Sequence, residues 1–283
     1  MPSQVRIFSY LPNPRVWKST IAGRLAGVEV EVVGCPSSDI KNWLWDFDAR
    51  PLSEVDAGER ERYARTSRRG FAGTALYKTD QFLELHPFGT VPAAFSADGK
   101  FGVFESNSIM RLVARLGRAE QPLYGSDPFE ASRIDSFLDA GLGLGHDVQR
   151  YVLALAAGSI DRQIHAWAEK AVETYLSGVE RALTRGATAI VGDRITLADI
   201  CFACELALLT NEQRRPELLE SQGLSPVLRG EQWAEFPKSL AHFDRLISQP
   251  VFSADFSAYA PRFDVMRRIS PHPPSLSGLD ASA

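Results

Sequence analysis

A chain of 283 residues, 45% hydrophobic and 23% charged, has the composition of a soluble globular protein and length enough for a well-buried core in one large domain or two smaller ones. Its 31 basic and 35 acidic residues leave a formal charge of −4, which gives no bulk attraction for nucleic acid. No apolar run approaches the roughly 20 residues that cross a bilayer, Met1 to Pro12 lacks a signal-peptide pattern, and three cysteines cannot all pair, so a cytoplasmic, reducing setting is expected.

Val5 to Ser9 alternates weakly and is expected to form a first strand. Pro14 stands where a helix tolerates proline, Val16 to Leu25 follows as a helix, and Gly27 closes it. Val28 to Val33 then alternates valine with glutamate, as a strand with one buried face does. Residues 39–72 interrupt this rhythm: the first part is rich in tryptophan and aspartate, the second in arginine. Connections of that length are usually functional or mobile, so Trp43, Trp45 and Phe47 are expected to form a lid over a pocket or a subunit contact. Arg60, Arg62, Arg65, Arg68 and Arg69 suggest a solvated face first and a guide for an anionic ligand second.

The segment from His86 to Ile109 carries the chemistry. Val91 to Phe95 is an apolar run with proline near its start, and a proline there belongs at the first residues of a strand or on an edge. The backbone of Val91 is thereby free to pair with another extended chain. Asp98-Gly99 predicts a hairpin turn, with Phe101 to Phe104 as the returning strand. Apolar residues then recur at Ile109, Leu112, Val113 and Leu116, the spacing of one helical face. Glu105 and Ser106 therefore stand where a helix begins, beside unpaired N–H groups and the positive end of its dipole. A hydroxyl and an acid placed there suit the carboxylate and the ammonium of an amino-acid-like group.

From Pro128 onward the pattern is helical. Ile134, Phe137, Leu138 and Leu142 share a face of a helix expected to reach Ala157, with a kink or break near Gly141, Gly143 and Gly145, each of which costs a helix about 1 kcal/mol relative to alanine. Ile164 to Leu183 predicts the next amphipathic helix, and Thr196 with Asp199 has the spacing of a capping box. Cys201 and Cys204 lie three apart in an apolar helix and are read as small buried hydrophobes. The proline- and serine-bearing end, 261–283, lacks the composition to order itself.

Val91-Pro92 followed by Glu105-Ser106 resembles the thioredoxin-like N-terminal domain of the glutathione S-transferase superfamily. Tyr10-Leu11-Pro12-Asn13-Pro14-Arg15-Val16-Trp17-Lys18, Phe104-Glu105-Ser106-Asn107, Leu123-Tyr124-Gly125-Ser126 and Thr196-Leu197-Ala198-Asp199-Ile200 are similar to the transferase-like domain of elongation factor 1B gamma subunits. The similarity covers roughly residues 4–38 and 74–260 and is loosest between 140 and 185. Bacterial aryl-ether-cleaving (beta-etherase type) transferases have similar length. The resemblance implies an α/β thioredoxin-like domain at 1–118 with an insertion at 39–72, then an all-helical domain at 128–260 and a flexible tail. It further implies glutathione as co-substrate, with the Val91-Pro92 peptide bond cis, Thr90 beside it, the Val91 backbone on the cysteinyl unit, and Glu105 and Ser106 on the γ-glutamyl end.

The implied reaction is attack by the glutathione thiolate on an electrophilic carbon of an aromatic substrate, in conjugation or aryl-ether cleavage, without a metal. By the same resemblance Asn13 is the first choice to contact the sulfur, with Tyr10 second; as aromatic residues, Tyr10, Trp17, Trp43 and Tyr151 are candidates to line an electrophile pocket, with Arg15 for an anionic part of the substrate. His86 and Thr90 replace the asparagine and lysine of the gamma-subunit pattern, which removes one contact to the glycyl carboxylate. A homodimer or a heterodimer with a related chain is implied, joined through the helix from Glu105 to Arg118 and the one beginning near Pro128. The alternative is a weakly catalytic or non-catalytic partner subunit or binding module.

Overall fold

A computed structural model describes residues 4–67, 71, 74–118, 120, 122–183 and 187–267. Strand β1 (Val5–Tyr10) leads through Asn13, the N-cap of helix α1 (Pro14–Ala26), to β2 (Val30–Cys35). Asn13 accepts the Arg15 N–H, Pro14 occupies the first turn where no donor is needed, and Gly27 ends the helix at φ 71°. Next come β3 (Trp43–Trp45), β4 (Arg50–Pro51), α2 (Ala57–Tyr63), β5 (Ala64–Thr66), β6 (Ala75–Lys78) and α3 (Asp80–Leu85). Strands β7 (Ala93–Ser96) and β8 (Gly102–Phe104) and helix α4 (Ser106–Leu116) complete the first half.

The main sheet has the order β2-β1-β7-β8. β1 runs parallel to β2 and antiparallel to β7, with Val5 opposite both Val30 and Ser96. Because side chains alternate across a strand, Val5 and Ile7 join the core shared with α1 and α4, while Phe8, Ala93 and Phe95 enter a second core on the other face.

That second core corrects the expectation for residues 39–72. The segment folds, together with β6, into a sheet of order β4-β3-β6-β5 that covers the far face of the main sheet. Trp45 is fully buried and its Nε1–H donates to the Ile40 carbonyl; Trp43 stacks on Phe8, and Phe47 meets Phe95 edge-on at 5.8 Å. These rings form a core, not a lid. The arginines brace the same unit: Arg62 and Arg65 reach Asp80 at 3.3 and 3.0 Å, and Arg60 donates to the Val55 carbonyl. Arg68 and Arg69 lie outside the described residues.

The helical half comprises α5 (Pro128–Ala157), α6 (Arg162–Ala182), α7 (Leu197–Leu209), α8 (Pro216–Ser221), α9 (Gly230–Glu235), α10 (Pro237–Ile247), α11 (Pro250–Phe256) and α12 (Ala260–Met266). Helix α5 runs unbroken through Gly141, Gly143 and Gly145, against expectation. At Gly141 an added Cβ would sit 3.4 Å from Cys201 Sγ, and at Gly145 3.2 Å from Arg15 and 3.3 Å from Glu205. The missing side chains let α5 approach α7 and α1 closely, and that packing outweighs the lost helix propensity. The capping box forms, with Asp199 also accepting from Ile190 N–H and contacting His242 at 2.7 Å. Cys201 and Cys204 are buried and unbridged. Residues 261–266, expected in a loose tail, are helical instead, because Phe263 and Met266 bury against the core. Residues 268–283 lie outside the described residues. One continuous apolar core joins the two halves, from Val5 to Met266.

Candidate functional site

Two backbone features meet at one end of the main sheet. After α3, the His86–Gly89 turn is pinned from both sides: Gly89 N–H donates to His86 O at 2.8 Å, and Lys78 Nζ donates to Gly89 O at 2.7 Å while lying 4.8 Å over the Trp45 ring. Burial pushes the Lys78 ammonium below the ordinary lysine range. It also lowers His86 to about 4, and that ring sits between Phe82 and Phe104. Thr90 and Val91 follow, both half-buried, and neither has a hydrogen-bond partner among the described residues. The Val91-Pro92 peptide bond is cis. Lys78 carried no signal in the sequence beyond its place after a strand-like run.

Across the hairpin, Ala93 lies opposite Phe104 in the last pair of the antiparallel β7–β8 ladder, so Val91-Pro92 and Glu105-Ser106 adjoin the same end of that ladder on neighbouring strands. Glu105 is exposed and holds φ 65°, ψ 121°, a left-handed conformation uncommon for a residue with a side chain. Its side chain caps nothing within the helix. The first N–H groups of α4 lack intrahelical partners, as at any helix start. Among the described residues, a strand backbone without partners, a carboxylate without a partner, a hydroxyl and helix-start donors thus share one edge, with groups for an extended peptide, an ammonium and a carboxylate.

Beneath Ser106 lies a buried polar cluster that the sequence did not disclose. Lys18, 1% exposed on α1, places Nζ 2.6 Å from Glu205 Oε1, 2.8 Å from Asn107 Oδ1 and 3.4 Å from Ser106 Oγ. Asn107 in turn donates to the Leu138 carbonyl of α5. Burial opposes both charges. Cys201 and Glu205 outweigh it for Lys18, and Lys18 and Arg15 outweigh it for Glu205, so the lysine is held above and the glutamate below their usual ranges. The second carboxylate oxygen of Glu205 is buried without a hydrogen-bond partner.

The turn expected to hold a thiolate is differently occupied. Asn13 is 1% exposed; its Oδ1 accepts the Arg15 N–H at 3.0 Å and its Nδ2 donates to Ser9 Oγ at 3.1 Å, so this side chain is committed to capping α1. Tyr10 is half-buried against Phe71, its phenol has no hydrogen-bond partner among the described residues, and burial holds its pKa above the ordinary value. Tyr10 therefore keeps a proton to donate, whereas both ends of the Asn13 amide are engaged.

The expected electrophile pocket is not assembled from Trp17, Tyr151, Trp43 and Arg15. Trp17 is core, wedged between Phe256 and Tyr259 at 5.1 and 4.8 Å. Tyr151 is fully buried and donates to Glu212 at 2.9 Å. Trp43 belongs to the second core. Arg15 ties α1 to α5, donating to Gln149 Oε1 at 2.7 Å and to the Gly145 carbonyl at 3.0 Å. An aromatic residue type shows that a ring seeks burial and not whether an interior space remains beside it, which is why three aromatic residues were misplaced. An apolar groove of about 370 Å³ lies instead between α5 and α6, with Phe137, Leu144, Trp167 and Tyr175 in its walls. Among the described residues no helix is long and apolar enough to cross a membrane.

Residues 159–250 match the family model of the glutathione S-transferase C-terminal domain. The chain is similar to elongation factor 1-gamma of Prunus avium, 30% identical over 191 residues, and of Homo sapiens, 26% identical over 250 residues. These matches take in 62% and 88% of this chain but 38% and 45% of those proteins, so it spans less than half of their length. Among solved structures it resembles the glutathione transferase URE2P5 of Phanerochaete chrysosporium, with a TM-score of 0.62 at 19% identity over 95% of this chain and 100% of that one. It also resembles a glutathione S-transferase of Methylobacillus flagellatus with glutathione bound, with a TM-score of 0.58 at 14% identity over 89% of this chain and 98% of that one.

Proposed function

Since the chain belongs to the glutathione S-transferase superfamily, we propose that it binds glutathione along the edge formed by Val91 and Ser106 and presents the thiol for attack on an electrophilic carbon. The observation that carries this reading is the juxtaposition of the unpaired Thr90–Val91 backbone with the Glu105–Ser106 start of α4. In it the cysteinyl unit pairs with Val91, the γ-glutamyl carboxylate takes the Ser106 hydroxyl and the α4 N–H groups, and Glu105 takes the ammonium. In the reaction the sulfur electron pair forms a bond to carbon while the leaving group, such as an aryloxide, departs with its own pair. A free thiol near pKa 8.5 is only a few per cent ionised at neutral pH, so a donor to the sulfur raises the rate. Tyr10, with its unshared phenol, is that donor in place of Asn13.

Calorimetry with glutathione tests the binding, and its loss in Ser106→Ala by about 10-fold or more locates it, as expected for a hydrogen bond to a charged group. Absence of heat with the intact protein would refute it. Tyr10→Phe is expected to lower turnover of an aryl ether or aryl halide by ~100-fold with binding kept, the scale of one directed donor.

A second reading has its own support. Asn13 is fully engaged and three of the expected pocket rings pack in or against the cores, and curated relatives carry the name elongation factor 1-gamma. On that reading the chain is a binding module that pairs with an identical or related chain and holds glutathione without rapid chemistry. Glutathione consumption across a set of electrophiles separates the two.

A further inference from the structure

The buried pair Lys18–Glu205 sits directly behind the proposed γ-glutamyl subsite, and it crosses from α1 to α7, between the two halves of the molecule. A lysine ammonium has three N–H donors and no acceptor. Here all three have an acceptor: Glu205 Oε1, Asn107 Oδ1 and Ser106 Oγ. The contact with Ser106 has a chemical consequence. Its oxygen accepts from a cation that cannot accept in return, so the hydroxyl hydrogen must be donated elsewhere, toward the open side of α4. A serine so held keeps its O–H for a partner on the open side, and the positive charge behind it favours an anionic acceptor there. Asn107 is fixed in the same sense, because its amide nitrogen is taken by the Leu138 carbonyl and its oxygen by Lys18.

From this geometry we infer that Lys18, held by Glu205 of the helical half, is a positioning residue that makes Ser106 selective for a carboxylate on the bound peptide. The inference rests on glutathione binding at this edge, and it places the control of carboxylate recognition in the other half of the chain. No proton or electron is transferred in the step. What changes is the direction of one O–H bond and the field it stands in.

The test compares two tripeptides on the full chain by calorimetry: glutathione, and γ-aminobutyryl-cysteinylglycine, which lacks only the α-carboxylate. If the intact protein binds neither, the reading of the groove itself fails. If it binds glutathione, a preference over the analogue of at least about 10-fold is expected, the value of one charge-assisted hydrogen bond. Lys18→Met is expected to abolish that preference while leaving affinity for the analogue unchanged. Glu205→Gln keeps the shape of the pair but removes the anion that holds the buried Lys18 in its charged form and in place, and is expected to reduce the preference several-fold; it serves where Lys18→Met does not fold. Asp255→Asn weakens a different tie between the halves, the contact of Asp255 with Arg24 and Thr20, and is expected to lower thermal stability with the preference intact. A full preference in Lys18→Met or in Glu205→Gln overturns the inference. So does an equal loss in Asp255→Asn, which would assign the effect to general loosening.

Discussion

Glu205 and Glu212 are both buried acids at the base of the helical half, and they meet burial in opposite ways. Glu205 has cations, Lys18 at 2.6 Å and Arg15 at 3.7 Å. Glu212 has neutral donors: Val227 N–H at 2.7 Å, Leu228 N–H at 3.1 Å and the Tyr151 hydroxyl at 2.9 Å. The first is held below the usual carboxylate range; burial pushes the second up to about 7 despite its three hydrogen bonds. Dipoles satisfy the oxygens of a buried acid without restoring the energy of its lost hydration, whereas nearby full charges restore more of that energy even with one Glu205 oxygen left without a hydrogen bond. The contrast also separates roles. The Glu212 cluster lies wholly within the helical half and closes the loop after α8 onto α5, while the Glu205 cluster spans both halves and ends at Ser106.

Removing a cation should break this contrast most severely. Lys18→Met leaves Glu205 with Arg15 alone in a buried site, and the expected loss is about 3 to 5 kcal/mol, the usual result of stranding one member of a buried pair. Lys18→Met combined with Glu205→Leu should recover most of that loss, because the uncompensated charge is gone and apolar groups fill the space. Urea unfolding of the three proteins measures both values. A double variant no more stable than Lys18→Met would show that packing, and not the stranded charge, sets the cost.

The next effect is a pH dependence that only the neutral-donor cluster should have. Glu212 holds its proton more tightly in the folded chain, near 7, than in the unfolded chain, near 4.5. Its influence is therefore most favourable below pH 4.5 and is lost as pH rises through 7, opposite in sign to Glu205. Between pH 5 and pH 8 the intact protein should lose about 2 to 3 kcal/mol that a Glu212→Gln variant does not lose. Parallel stability curves for the two proteins across that range would remove Glu212 as their source.

The sequence disclosed these two clusters and the edge proposed to bind glutathione to different degrees, for physical reasons. Pro92, the Asp98-Gly99 turn and the switch to helical period at Ile109 are local signals, and the edge they define stands where they placed it. The Thr196–Asp199 capping box is equally local and formed as expected. Lys18, Glu205 and Glu212 gave no such sign, because a charge on an apolar face acquires meaning only from partners on other helices, 187 residues away in the case of Lys18 and Glu205. The segment 39–72 was unreadable for a related reason: its strands pair with β6, which follows them, and its tryptophans fill a face of the main sheet that no nearby pattern reveals. Asn13 was visible as a residue but not as an allocation. Only coordinates show that both ends of its amide are already used.

The smallest expected effect sharpens the contrast at Glu205 itself. Gly143 and Gly145 sit two residues apart on α5 and carry the same intrinsic helix penalty, yet they face different surroundings. Gly143 has open space where a Cβ would go, whereas a Cβ at Gly145 would approach Arg15 Nη2 to 3.2 Å and Glu205 Oε2 to 3.3 Å. Gly143→Ala should therefore stabilise the chain by about 0.5 to 1 kcal/mol, the ordinary gain of alanine over glycine in a helix. Gly145→Ala should return less than that, because the methyl presses on two charged side-chain ends whose positions are tied to Lys18. Thermal unfolding of the pair measures the difference, and the Lys18→Met background tests its origin: with the network already slack, the methyl at 145 should regain the gain seen at 143. Equal gains at the two sites in the intact protein would mean that Arg15 and Glu205 move aside freely, and then the cluster is too soft to hold Ser106 in one direction.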